Sequence, residues 1–302
     1  MTFKDMVIGA FGIKADTKKS DIGKYFTDIE STMTTVKEKL QDEVAKNGNY
    51  VKVKTVVDTF ITDTLDKIAK GAKEAAKGAT GEDKIGGAPT AGQDAAPAEA
   101  ASVNALVKGI KEIVGVVLKK DEGNADATKT AEAEKKSIGK LFGTNAADGA
   151  EAHAAAASAS IGVVSGADIL QAIAKSDEAG VGEIEIKKAK NAAEIAVAKK
   201  EAAKELEVAE VQKDAVIAAG IALRAMAKDG KFAAKNNEEK SAHAVNGAAA
   251  SAVGKTLSTL IIAIRNTVDS GLKTINEALA TVKQEDKSAE ATNPAEATTN
   301  GQ

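Results

Sequence analysis

Apolar residues recur every three or four positions through the first part of the chain, a spacing that places them along one face of a helix. They are Ile22, Phe26, Ile29, Met33, Val36, Leu40 and Val44. A second stripe of the same spacing runs from Val53 to Ile68, after the helix-stopping sequence Asn47-Gly48-Asn49. The two stripes predict an antiparallel helical hairpin.

The longest apolar stripe lies near the C-terminus. It consists of Leu257, Leu260, Ile261, Ile264, Val268, Leu272, Ile275, Leu279 and Val282. Aliphatic side chains on one face of a helix need a partner surface that removes them from water, and the Ile22–Val44 stripe is the candidate. We therefore predict an all-α fold, an elongated helical bundle in which the N- and C-terminal helices pack together.

The rest of the chain predicts one helical domain over residues 1–283. Val103–Val117 is apolar nearly all round, which predicts a helix buried at the centre of the molecule. Shorter helices are predicted around Ile138–Phe142 and Ile161–Lys175. Residues 284–302 are polar and contain Pro294, so we predict a disordered C-terminal tail.

Glu183–Asp229 is rich in Ala, Glu and Lys, with one glycine and no proline, a composition that favours helix. Its interleaved Lys and Glu residues predict a solvated, salt-bridged helix. A patch for polyanions or a membrane surface, centred on Lys187, Lys188 and Lys190, is the alternative. Segments rich in Gly, Ala, Asp and Lys predict surface loops at residues 70–101, 119–150, 176–182 and 231–247.

Composition and charge exclude several classes of protein. The 302 residues include 41 Lys and Arg against 44 Asp and Glu, a net charge of −3, which excludes a strongly basic nucleic-acid binder. The absence of cysteine excludes a disulfide framework and a cysteine nucleophile. The longest strongly apolar run, residues 260–264, is shorter than the roughly 20 residues of a membrane span, so the chain is not expected to cross a bilayer by itself.

Three short motifs approach known site signatures without completing them. Gly254-Lys255-Thr256 resembles the end of a phosphate-binding loop, but Ala249 stands where that loop needs glycine. Gly162–Gly166 misses the spacing of a nucleophile elbow by one residue, and Asp121–Asp126 lacks the alternating ligands of a calcium loop. The first is interpreted as a helix start and the last as a solvated turn.

The histidines and arginines are few. His153 and His243 each stand among alanines without a second ligand at helical spacing, so we interpret them as surface or half-buried residues. Arg224 and Arg265, the only arginines, lie beside apolar neighbours. A buried stem with a solvated head is the usual arrangement, and a structural ion pair inside the bundle is the alternative. No catalytic, cofactor-binding or metal-binding residue is predicted, no cofactor is expected, and the chain is not expected to be an enzyme.

One segment carries a resemblance to a known family. Ala215–Lys235 reads AVIAAGIALRAMAKDGKFAAK and closely resembles the signature of the variable large proteins of relapsing-fever Borrelia and of the related variable surface lipoprotein of the Lyme spirochaetes. The resemblance continues in Lys18–Phe26, Val103–Leu118 and Asn246–Val282. It therefore spans nearly the whole chain.

The resemblance implies a helical lipoprotein exposed on the cell outer membrane and used in antigenic variation. It also implies host antibodies as partners, terminal helices near the membrane and Gly/Ala-rich variable loops at the distal end. Family members are anchored by an acylated cysteine at the mature N-terminus. This chain has no cysteine and starts Met1-Thr2-Phe3, so it is interpreted as an ectodomain without the signal peptide and lipid anchor.

A host-ligand binding protein is the alternative function: an adhesin, or a binder of complement or plasminogen-system proteins. Exposed lysines would carry the affinity for such a serum or matrix protein. The membrane would be a partner only through the N-terminal lipid, and no nucleic-acid partner is expected. A homodimer remains open, because exposed apolar stripes can be covered within one chain or between two.

Overall fold

The structure is a computed structural model that describes residues 12–46, 50–144, 146, 148–180, 183–202 and 204–289. Within these ranges the chain forms helices and a few isolated β-bridges but no named strand. The prediction of an all-α fold is confirmed. The predicted turn at residues 47–49 lies outside the described residues.

Ten α-helices are found in the described ranges. They are α1 (Lys19–Lys46), α2 (Val51–Phe60), α3 (Asp66–Gly78), α4 (Ala100–Val117), α5 (Glu132–Ser137), α6 (Glu151–Val163), α7 (Gly166–Lys175), α8 (Ala192–Val197), α9 (Asp214–Met226) and α10 (Glu239–Ala289). A π-helical turn, Ile61–Leu65, joins α2 to α3. Short 3₁₀ turns occupy Ile138–Phe142, Ile186–Lys188 and Ala209–Gln212.

Helix α4 lies at the centre, as its all-round apolar sequence predicted. Val103, Leu106, Ile110 and Ile113 are fully buried. The most extensive helix pairing in the described chain is that of α3 with α4. A side chain on Gly109 would collide with the Gly71 carbonyl, so the small residues allow the two backbones to approach closely.

The long C-terminal helix is also a core element. Leu257, Leu260, Ile261 and Ile264 are fully buried, and α10 packs against α2, α4, α6, α7 and α9. By length and composition α10 would qualify as a membrane span, contrary to the expectation from residues 260–264, but half of its apolar window is buried inside the protein. Helices α6 and α7, bent by 100° at their junction, meet the same criterion only as a pair.

The two terminal helices share one core but meet over a small area. The Tyr25 hydroxyl donates to the Leu257 carbonyl at 3.0 Å. Farther along, α1 and α10 both line an apolar groove, α1 through Leu40 and α10 through Ile275. The contact nearer the start of α1 involves the earlier part of α10, and the contact farther along α1 involves a later part of α10. The two helices therefore run parallel. The larger partner of α1 is α3, and α2 contacts both terminal helices.

In the middle of the chain one prediction is wrong and another is partly confirmed. The described residues of 183–213, which are all but residue 203, contain only α8 and two 3₁₀ turns instead of one long helix. Their alanines pack into the core, as Ala189, Ala193 and Ala196 show with 0% exposure, because tertiary packing overrides helix propensity. The helix predicted over Ile161–Lys175 is present as α7 from Gly166 onward, whereas residues 161–163 form the end of α6.

The predicted loop at residues 70–101 is largely packed rather than flexible. Helix α3 continues to Gly78, and beyond it Ile85, Ala88 and Ala95 are buried. Isolated β-bridges pair Gln93 with Ala234 and Ala96 with Lys231. The same bridges make the start of the predicted 231–247 loop a packed segment.

The two remaining predictions concern the loop at residues 119–150 and the tail at residues 284–302. Residues 119–131 do form an irregular surface segment, whereas α5 and the first 3₁₀ turn occupy Glu132–Ser137 and Ile138–Phe142 of the predicted 119–150 loop. The predicted tail boundary at residue 284 lies inside α10, whose helical backbone reaches Ala289. Residues 290–302 lie outside the described part, so their disorder stays a prediction.

Candidate functional site

Arg224, in the last turn of α9, is fully buried. Its Nε donates to the Lys231 carbonyl at 2.9 Å, and its Nη1 donates to the carbonyls of Ala196 and Ala198 at 3.1 and 2.9 Å. The guanidinium carbon lies 4.8 Å from the centre of the Phe142 ring, within cation–π range. Among the described residues Arg224 therefore has neither the solvated head nor the ion-pair partner expected from the sequence.

Lys19, at the start of α1, is a second buried cation. Its Nζ lies 2.6–3.2 Å from four main-chain carbonyl oxygens, those of Arg224, Ala225, Ala227 and Gly230. Burial lowers the pKa of Lys19 to about 7 and that of Arg224 to about 9. Together the two side chains fasten α1, α8 and α9 to the turn after α9.

Lys255 repeats this arrangement at the end of another helix. Its Nζ donates to the carbonyls of Ile161, Gly162 and Val164 at 2.7, 3.2 and 2.8 Å. The last carbonyls of a helix have no partner within it and carry partial negative charge, so a cation there stabilises the helix end. The residues that resembled a phosphate loop therefore lie inside α10 rather than at its start, with Lys255 acting as a helix cap.

The other motifs also have structural roles. Ser165 is the N-cap of α7, where its Oγ accepts from the Asp168 amide, so Gly162–Gly166 is a helix junction. Residues 121 and 122 of Asp121–Asp126 are exposed, as a solvated turn predicts. Within the described part of the chain, no group of three or more His, Cys, Asp or Glu residues is arranged to hold a metal ion.

His153, His243 and Arg265 lie near the surface. His153 caps α6, its Nδ1 accepting from the Ala150 amide at 3.2 Å, and burial lowers its pKa. His243 is exposed and lies 3.4 Å from Glu239. Arg265 is exposed and lies 3.5 Å from Asp269, so the expected solvated head holds for this arginine.

The lysine-rich segment has nearby carboxylates. Glu185 lies 3.5 Å from Lys187 and 3.2 Å from Lys188, and the Lys190 amide donates to Glu194. The predicted salt bridges are present, but on an irregular segment rather than an exposed helix. The local positive field is therefore partly cancelled.

The buried cations and the packed core leave the outer surface as the candidate functional region. The sequence profile of the Borrelia lipoprotein family matches residues 1–279, and the chain belongs to this family. It is 70% identical over 306 residues to Variable large protein 4 of Borrelia hermsii, covering 100% of this chain and 87% of that protein. It is 69% identical to Variable large protein 17 of the same species, with coverages of 100% and 86%.

A solved relative shares the fold. The crystal structure of the Lyme disease variable surface antigen VlsE of Borrelia burgdorferi superposes with a TM-score of 0.77 at 36% identity, over 91% of this chain and 94% of that one. The resemblance seen in the sequence is confirmed. The segment that carried it most clearly, Ala215–Lys235, is the segment that holds Arg224 and all four carbonyls bound by Lys19.

Proposed function

We propose that this protein is an antigenically variable surface lipoprotein whose exterior changes between variants and so evades host antibodies. Its relatives are named variable large proteins, and the solved relative is titled a variable surface antigen. The observation that supports the proposal most directly is a TM-score of 0.77 at only 36% identity. Such pairs keep one architecture while most of their side chains differ.

The structure supplies a physical reason for this tolerance. The interior is fixed by buried aliphatic residues and by cations bonded to main-chain carbonyls. Substitutions of exposed residues away from such features usually change stability by about 0.5 kcal/mol or less. The protein acts by presenting different side chains to antibodies, and no covalent bond is made or broken.

Membership of a lipoprotein family supports a lipid-anchored position on the bacterial surface, in the outer membrane. Antiserum raised against this chain should label intact spirochaetes that produce it and label cells producing Variable large protein 4 much more weakly. Labelling that requires permeabilised cells would contradict the surface position. Equal labelling of both strains would contradict antigenic variation.

Host-ligand binding through Lys187, Lys188 and Lys190 has less support, because Glu185 lies close to the first two of these lysines. If this function operates, binding of a serum or matrix protein weakens with added salt and is lost when the three lysines are replaced by alanine. Binding that is unaffected by added salt and by the three alanine replacements would exclude the lysine patch as the binding site.

A further inference from the structure

Residues 119–131, here called the strap, cross the surface between α4 and α5 without entering the core. None of their side chains is buried. Among its apolar side chains, Ala125 and Ala127 are partly buried against the core. Apolar burial therefore contributes little to the position of the strap, and polar contacts must hold it.

The first half of the strap is fastened by three side chains of α7: Asp168, Gln171 and Lys175, the last of which pairs with the exposed Asp126 carboxylate at 2.7 Å. Asp168 accepts a hydrogen bond from the Asn124 amide at 2.6 Å. Gln171, one turn later, donates to the Glu122 carbonyl at 3.0 Å and lies 3.5 Å from the Lys119 carbonyl.

The second half of the strap is fastened by the first turn of α9. The buried carboxylate of Asp214 accepts hydrogen bonds from the amides of Lys129 and Thr130, and also from the Thr130 hydroxyl at 2.5 Å. The Ala215 amide donates to the Ala127 carbonyl at 3.1 Å. Each carboxylate thus stands at a helix N-terminus, where negative charge is favoured.

Most of these contacts reach main-chain atoms of the strap. Every residue other than proline offers the same amide and carbonyl, so the contacts do not depend on which side chain a strap residue carries. Residue type does matter at Gly123, which has a positive φ of 84° and lies so close to the Ala167 main chain that a side chain would not fit. Lys120 and Asp121 are exposed, and a change of these residues leaves the anchoring contacts in place.

We propose that Asp168, Gln171 and Asp214 hold residues 119–131 as a display strap, whose shape they fix through its main chain while its exposed side chains are free to change. Without the anchors the strap opens as a unit and the core stays folded. The display role rests on the proposed function, whereas the anchoring does not.

Hydrogen–deuterium exchange of the full chain at neutral pH tests the anchoring. The anchor variant carries Asp168→Ala and Asp214→Ala, and the surface variant carries Lys120→Ala and Asp121→Ala. Loss of hydrogen bonds to a charged acceptor should speed exchange of strap amides by about tenfold or more. Peptides of α4 should be unchanged, and the surface variant should match the wild type throughout.

Equal acceleration in the surface variant, or none in the anchor variant, would overturn the proposal. Ser165→Ala is the matched control, because it removes the N-cap of α7 but keeps the hydrogen bond that the Asn124 amide donates to Asp168. If the anchor variant does not fold, Asp168→Ala alone should loosen residues 119–124, and protection there would count against anchoring.

Antibody binding tests the display role separately. Antibodies that recognise the strap of the wild-type protein should lose binding to the surface variant although its exchange is normal. Retained binding by every such antibody would overturn the display role and leave the anchoring standing.

Discussion

The segment Ala215–Lys235 and the strap are both held in place by charged side chains that bond to main-chain atoms. The charges have opposite signs in the two regions, and the two regions also differ in how far their sequences can change. In the first, buried cations bind carbonyls, and nearly all of α9 is buried. In the second, carboxylates bind amides, and no strap residue is buried.

This difference separates a constrained part of the sequence from a replaceable one. In Ala215–Lys235 the side chains both fill the core and supply a charged donor, so a substitution leaves a void or an unsatisfied carbonyl. In the strap the charged partners belong to other helices, so much of its own sequence is free. One fold can therefore present different surfaces.

The largest effect is expected at the buried arginine, Arg224. Arg224→Met leaves carbonyls of the core without a donor and should lower the free energy of unfolding by about 3 kcal/mol, measured by urea denaturation. Arg265→Met is the matched control and should cost less than about 0.5 kcal/mol, because Arg265 is exposed. Similar losses in the two variants would contradict the role given to the buried guanidinium.

Neighbouring lysines give the next comparison. Lys19→Met removes the donor shared by four carbonyls, and relief of the buried charge offsets part of the loss, so we expect a loss of about 2 kcal/mol. Lys18 is exposed and paired with Glu82 at 2.6 Å, so solvent screens the pair and Lys18→Met should cost much less than Lys19→Met. Thermal melts of the two variants that shift equally would refute the assignment.

Acid should loosen the strap. Burial alone would raise the pKa of both Asp168 and Asp214. Hydrogen bonds, including those donated by the strap, outweigh burial and lower the pKa of both carboxyls below the usual value. The positive charge of Lys129 also lowers the pKa of Asp168. For a carboxylate whose pKa is lower in the folded state, the stabilisation is present above the unfolded pKa and is lost as the pH falls through the folded pKa.

We therefore expect strap peptides to lose exchange protection below about pH 4, after correction for intrinsic rates, before peptides of α4. The anchor variant should lack this pH dependence. Simultaneous loss of protection in the strap and in α4 would mean that acid unfolds the whole protein and that the strap is not a separate unit.

Much of the helical framework was accessible to sequence reasoning. The stripes of α1, α2, α3 and α10 have regular spacing, and α4 is apolar nearly all round, so local pattern and tertiary role agree. The junction of α6 and α7 also had a signal: Ser165 and Asp168 are spaced as a capping box, which marks a helix start.

Other features depend on contacts between distant segments. The sequence near Arg224 shows only small apolar neighbours, and nothing local reveals that carbonyls from Ala196 and Ala198 will surround the guanidinium. Alanine is equally ambiguous, since it favours helix in isolation but fills close contacts in residues 183–213. The anchors of the strap are likewise distant from it along the chain, as Asp168 is 44 residues from Asn124.

A chimera with Variable large protein 4 tests the central claim most directly. In it, exposed positions that differ take the residues of the relative while every buried position is kept, and the reverse chimera exchanges only buried positions. Antiserum against this chain should lose most of its binding to the surface chimera and keep it for the core chimera, with both melting close to the parent. Full antiserum binding by a folded surface chimera would contradict the account.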